Sequence, residues 1–100
     1  MDEKLIAEML GKVVLVGVTV MNRSEEVLAQ EQYFGTVLRI SERDGLIIRR
    51  GDTGEEMWLP PALHLYEPAS PGEYRLRSTG QIVTNPDYVA SFTKYRKDAQ

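Results

Sequence analysis

Apolar positions near the start of the chain fall at helical spacing. Leu5, Ile6, Met9 and Leu10 sit at i, i+1, i+4 and i+5, which makes one stripe of a helix. Asp2 can cap that helix, Glu3 suits the positive end of its dipole, and Gly11 can stop it. The pattern predicts a helix over 2–10. A helix this short does not hold itself together in water, so its stripe must dock on something.

After Gly11 the period changes to two. "KVVLVGVTV" is rich in β-branched residues and predicts a strand. Val14, Val16, Val18 and Val20 share one face, and Val13, Leu15 and Met21 share the other. A strand with two apolar faces is buried on both. If one face lines a barrel, the other needs a cover, either the N-terminal stripe or a second subunit.

"VLAQEQYFGTVLRIS" predicts a long strand with Phe34, Leu38 and Ile40 on a shared face. Gly35 in its middle predicts a bulge or sharp bend, as where small barrels turn corners. "ERDG" supplies a hairpin turn, "LIIRR" the returning strand, "GDTGEE" a second turn and "EMWLP" a short fourth strand. Pro60 and Pro61 end that strand, because they have no N–H to give a ladder. "PALHLY" leaves room for one helical or 3₁₀ turn, and "EPASPGE" reads as a surface loop. "YRLRSTGQIV" predicts a tight hairpin with Thr79 and Gly80 at its tip. "YVASFTKYRK" predicts a last strand after the break at Asn85-Pro86-Asp87.

This succession predicts a mainly β fold, a small antiparallel SH3-like barrel of five to seven strands with a short N-terminal helix. An OB-like barrel is the second choice. The expected layout is a single domain over 1–100, with the helix at 2–10, the barrel at 11–95 and a frayed tail at 96–100. One hundred residues are enough for one core without staples. The 42% hydrophobic and 27% charged content fits a globular domain.

Cysteine is absent, which excludes disulfides, thiol catalysis and thiolate metal sites. The run from Val13 to Met21 is far shorter than the roughly 20 residues a bilayer demands. The acidic opening "MDEKLIAEML" does not have the form of an export signal, so a cytoplasmic protein is expected. A net charge of −3 argues against a general nucleic-acid binder.

Candidate chemistry is sparse. "EEMWLPPALHLYEP" holds the only tryptophan and the only histidine. Trp58 can join Tyr33, Tyr66 and Tyr74 in an aromatic groove for extended peptides, or it can lie in or at the mouth of the core. His64, alone and without cysteine, forms no standard zinc or nucleophilic set and reads as a surface or capping residue. Arg75 and Arg77 alternate on one strand face. With Arg49, Arg50, Lys94, Arg96 and Lys97 they form a basic patch for an acidic partner, or a solvated face paired with nearby carboxylates. "GDTG" lacks the lysine and helix of a P-loop. The pairs Glu25-Glu26 and Glu55-Glu56 lie in connecting loops, where nothing tunes them for acid–base work. No catalytic, cofactor or metal site is expected.

"GKVVLVGVTV", "YFGTVLRI", "MWLPPAL" and "PGEYRLRSTGQIVTNPDY" together resemble a family of small, uncharacterised bacterial proteins. The resemblance runs from Gly11 to Tyr95 and implies an SH3-like barrel in the bacterial cytoplasm, with no catalytic residue to carry over. The expected function is a non-enzymatic protein-binding module, inhibitor or immunity-like. Trp58, Tyr33 and Tyr66 are its expected contact residues, and Arg75 and Arg77 its orienting charges. A homodimer is a further expectation. The alternative is a small barrel that binds RNA or single-stranded DNA.

Overall fold

The computed structural model describes residues 2–77 and 79–96. Helix α1 spans Glu3–Met9, and the Asp2 carboxylate accepts the N–H groups of Lys4 and Leu5 at 3.0 and 3.1 Å. Gly11 then adopts φ +80°, which lets the chain turn out of the helix. Met9 is fully buried, and Leu5 and Ile6 pack beside it against the main core. The stripe docks, as its spacing requires.

Eight strands follow among the described residues: β1 Val13–Met21, β2 Val27–Ser41, β3 Gly45–Arg50, β4 Glu56–Leu59, β5 Glu67–Pro68, β6 Glu73–Arg75, β7 Ile82–Thr84 and β8 Tyr88–Tyr95. A 3₁₀ turn at Leu63–Leu65 fills the expected place between β4 and β5. Six strands form one sheet in the order β4-β3-β2-β1-β8-β5, and β6 pairs with β7 in a separate hairpin.

Three features depart from the expected antiparallel barrel. There are eight strands among the described residues rather than five to seven, counting three of only two or three residues. β8 runs parallel to β1, so the sheet is mixed. The sheet also has two ends, β4 and β5, and does not close. Hairpin signals are local and report neighbours in sequence. The β1–β8 pairing joins the two ends of the chain, which no local signal reports.

β2 changes partners along its length. Its residues up to Thr36 pair with β1, and those from Gly35 onward pair with β3. The partners overlap at Gly35 and Thr36, so the strand changes neighbours there. A Cβ on Gly35 would collide with the Arg49 carbonyl, so only glycine allows the backbones this close. A register shift between Val37 and Arg39 then inverts the alternation. Phe34 and Ile40 therefore do not share a face: Ile40 packs on the main core, and Phe34 on a second cluster.

The main core joins Val14 and Val16 of β1 to Val37, Leu46, Ile48, Leu59 and Ala90, with Met9 closing one side. The second cluster lies on the opposite face of β1, where Leu15 meets Leu76 and Val83 from the β6–β7 hairpin. The doubly apolar first strand is thus buried on both faces. Its second cover is neither the helix nor another subunit but that hairpin. Gln32 Oε1 accepts the Arg77 N–H at 2.7 Å and pins the hairpin to the sheet. No helix among the described residues is long and apolar enough to cross a membrane. Lys97 and the remainder of the expected tail lie outside the described residues.

Candidate functional site

The open side of the sheet forms an apolar recess. β4 is an end strand, with β3 on one side only. β8 meets β5 through Tyr88 and Val89 alone. From Ala90 to Tyr95 its edge away from β1 has no strand partner among the described residues. Between these two edges lies a cavity of about 190 Å³, lined by Val18, Glu31, Tyr33, Met57, Trp58, Leu59, Pro60, Phe92, Thr93 and Lys94.

Strand register builds its floor. Val18 stands opposite Glu31 on β2 and opposite Phe92 on β8, so these residues form one row across three strands. Tyr33 belongs to the adjacent row through its partner Val16. Met57 and Leu59 face the core from β4, beside Ile48 and Leu46. Trp58 lies between them in sequence and takes the other face, opposite Ile47. Its indole lies across Gly45, where a Cβ would strike the ring, and it remains 57% exposed at the border of the cavity.

The row also contains a charge. Glu31 Oε1 is sealed from solvent and accepts no hydrogen bond of proper geometry. Lys94 Nζ lies 3.9 Å from it, close enough for an ion pair but too far for a hydrogen bond. Burial, and then the Glu31 charge, raise the neighbouring Tyr33 phenol above its usual range. The Arg50 guanidinium lies 5.0 Å above the Tyr33 ring, a cation–π distance. Asp52 grips Arg50 at 3.0 and 2.7 Å. That hydrogen bonding raises Arg50 and lowers the Asp52 carboxyl.

No family model, curated protein or solved structure matches this chain. The site is therefore read from its own residues.

Of the five expected contact residues, two meet at this cavity, Tyr33 and Trp58. Tyr66 is buried, with 4% of its surface exposed. Its hydroxyl donates to the Pro60 carbonyl at 2.9 Å, and its ring leans on Phe92 at 5.4 Å. It supports the cavity from behind and presents no contact surface. Burial raises its phenol strongly. Tyr74 is tied to the Ser70 carbonyl at 2.6 Å and packs in the second cluster. Trp58 is not buried in the core; it stands 57% exposed at the border of the cavity.

Arg75 and Arg77 are exposed on the hairpin, apart from Trp58. Arg77 borders a second cleft of about 470 Å³ that shares Val18 and Glu31 with the seam cavity and continues over Gly17, Thr19, Gln30, Gln32 and Ser91. The other basic residues do not merge with them. Arg49 donates to the Gly54 carbonyl, Arg50 holds Asp52, and Arg39 pairs with Glu56 at 2.7 Å. His64 is exposed in the 3₁₀ turn. Among the described residues no three His, Cys, Asp or Glu side chains gather where they could hold a metal.

Glu31, Phe92 and Met57 have no place in the sequence reading, which puts Lys94 in a basic patch and not beside Glu31. A signal for Glu31 did exist. It has the same parity as Tyr33 and Val37, so a strand that buries those residues turns a carboxylate inward.

Proposed function

We propose that this protein is a non-enzymatic interaction module, inhibitor or immunity-like, that binds another protein at the seam between β4 and β8. The observation that carries this reading is an apolar cavity set between two unpaired strand edges and bordered by the half-exposed Trp58. Tryptophan at the rim of a desolvated recess is the residue type that dominates binding hot spots. Arg75 and Arg77 stand away from the seam and serve as outlying steering charges at most.

We read the bent sheet as an open SH3-like barrel, supported by the corner at Gly35 and the 3₁₀ turn after β4. A cytoplasmic setting, expected from the acidic opening, belongs to the same proposal. The alternative of RNA or single-stranded DNA binding finds less support: the basic residues are scattered, and the cavity floor carries a carboxylate.

The test is capture of partners from native lysate by the tagged wild type, Trp58→Ala and Arg75→Glu. Trp58→Ala, still folded, lowers recovery of the specific partner by roughly tenfold or more. Arg75→Glu lowers it less. Full retention by the Trp58 variant overturns the site.

A further inference from the structure

We infer that the seam takes one extended peptide segment of its partner, added as a strand to the free edge of β8, with a lysine or arginine side chain anchored in the cavity. This inference rests on the interaction reading above and gives its partner a chemistry.

The extended backbone follows from the edge. The side of β8 from Ala90 to Tyr95 that faces away from β1 has no partner strand among the described residues. Such a row of N–H and C=O groups is a template for strand addition. The edge carries no proline, and β8 pairs with β1 without a register break from Tyr88 to Tyr95. A strand laid along it points alternate side chains inward beside Phe92 and Lys94, into the cavity.

The basic anchor follows from the lining. A cavity near 150 Å³ can hold a benzene ring, so about 190 Å³ takes one long side chain rather than a whole peptide. Val18, Met57 and Phe92 offer apolar walls that suit a methylene stem. At the floor, Glu31 Oε1 is sealed from solvent with no donor in hydrogen-bond geometry, while the side chain as a whole is 33% exposed and the Tyr33 phenol lies beside the same carboxylate. A carboxylate oxygen in that condition is costly, and an ammonium or guanidinium head relieves it. Tyr33, one of the lining residues, already carries a stacked cation, Arg50, which does not itself line the cavity. Lys94 is the competitor. At 3.9 Å, and with its side chain 60% exposed, it neutralises Glu31 from the rim without satisfying it. It can move into solvent when a better donor arrives.

The probe is a phage-displayed library of random nine-residue peptides, selected on the full chain. Selected sequences share one lysine or arginine with apolar residues two positions away. On binding such a peptide, the amides from Ser91 to Tyr95 gain protection from hydrogen exchange. Glu31→Gln weakens the selected peptide about tenfold, Lys94→Ala tightens it several-fold, and glutamine at the peptide's basic position reproduces the loss on the wild type.

Selected peptides without a basic position overturn the inference, as does unchanged exchange along the β8 edge. Protection of that edge by rising protein concentration alone also overturns it, because a second copy then occupies the seam. Trp58-dependent capture of a partner, alongside any of these failures, leaves the interaction reading standing and removes only the strand and its cation.

Discussion

Val13 and Asp87 hold each other by two hydrogen bonds: the Val13 N–H donates to Asp87 Oδ2, and the Asp87 N–H donates to the Val13 carbonyl, each at 2.8 Å. The clasp joins the first residue of β1 to the residue just before β8. It sets the parallel register in which Val14 faces Tyr88 and Val18 faces Phe92. The floor of the seam depends on that register.

Loss of the carboxylate therefore has a defined effect. Asp87→Ala removes a charge-assisted bond and costs about 1–2 kcal/mol. At this chain length, each kcal/mol lowers the melting temperature by roughly 4–8 °C. Asp87→Asn keeps an acceptor and loses less. Thermal unfolding followed by circular dichroism separates the two variants.

Two glycines on the same sheet behave in opposite ways. Gly35→Ala drives a methyl group into the Arg49 carbonyl, where backbone cannot yield, and costs about 2–3 kcal/mol. Gly17→Ala meets only Ser91 Oγ, at 4.0 Å, and leaves stability within about 0.5 kcal/mol or raises it slightly. Urea midpoints at unchanged slope give both values.

The hairpin cover comes loose on its own. Leu76 is 3% exposed and packs on Leu15 and Val83, so Leu76→Ala costs about 2–4 kcal/mol. Hydrogen exchange reads where the loss falls. Amides of β6 and β7 exchange faster, and those of Leu46 and Ile48 keep most of their protection.

Alkaline pH tests the buried phenol. The folded Tyr66 ionises above its ordinary pKa of 10.0 because burial disfavours the anion. The unfolded chain releases that proton first. The stability Tyr66 contributes is whole below about pH 10 and falls as pH rises beyond it. Tyr66→Phe flattens this alkaline decline and costs about 1 kcal/mol at neutral pH through the lost bond to Pro60. Absorbance at alkaline pH shows Tyr66 ionising late among the five tyrosines.

Much of this architecture is legible along the chain, and the reasons are local. The stripe of Leu5, Ile6 and Met9 specifies a docked helix, and Asp2 caps it. Gly35 marks a special position, where a close backbone approach excludes every other residue, although the register break itself falls between Val37 and Arg39. Thr79 and Gly80 sit at the tip of a real hairpin, where Gly80 takes φ +74°. The double burial of β1 is legible too, but its cover is not. Leu76 and Val83 come from more than fifty residues away, and nothing in their own pattern names Leu15 as partner.

The site was less legible. Tyr33 and Trp58 stand out as aromatic residues, yet the cavity they border exists only because β4 and β8 fail to meet. Glu31 gains its meaning from Val18 and Phe92, which share its row through pairings on two different strands. Tyr66 misleads for the converse reason. Its composition suits a contact surface, and its hydrogen bond to Pro60 allows it to be buried instead.

Site-specific photo-crosslinking in native cells tests the central claim most directly. A benzophenone side chain replaces Trp58 in one variant and Glu8, on the exposed side of α1, in another. The seam account predicts a discrete protein adduct from position 58 and none from position 8. No adduct from position 58, or one of equal yield from position 8, contradicts it.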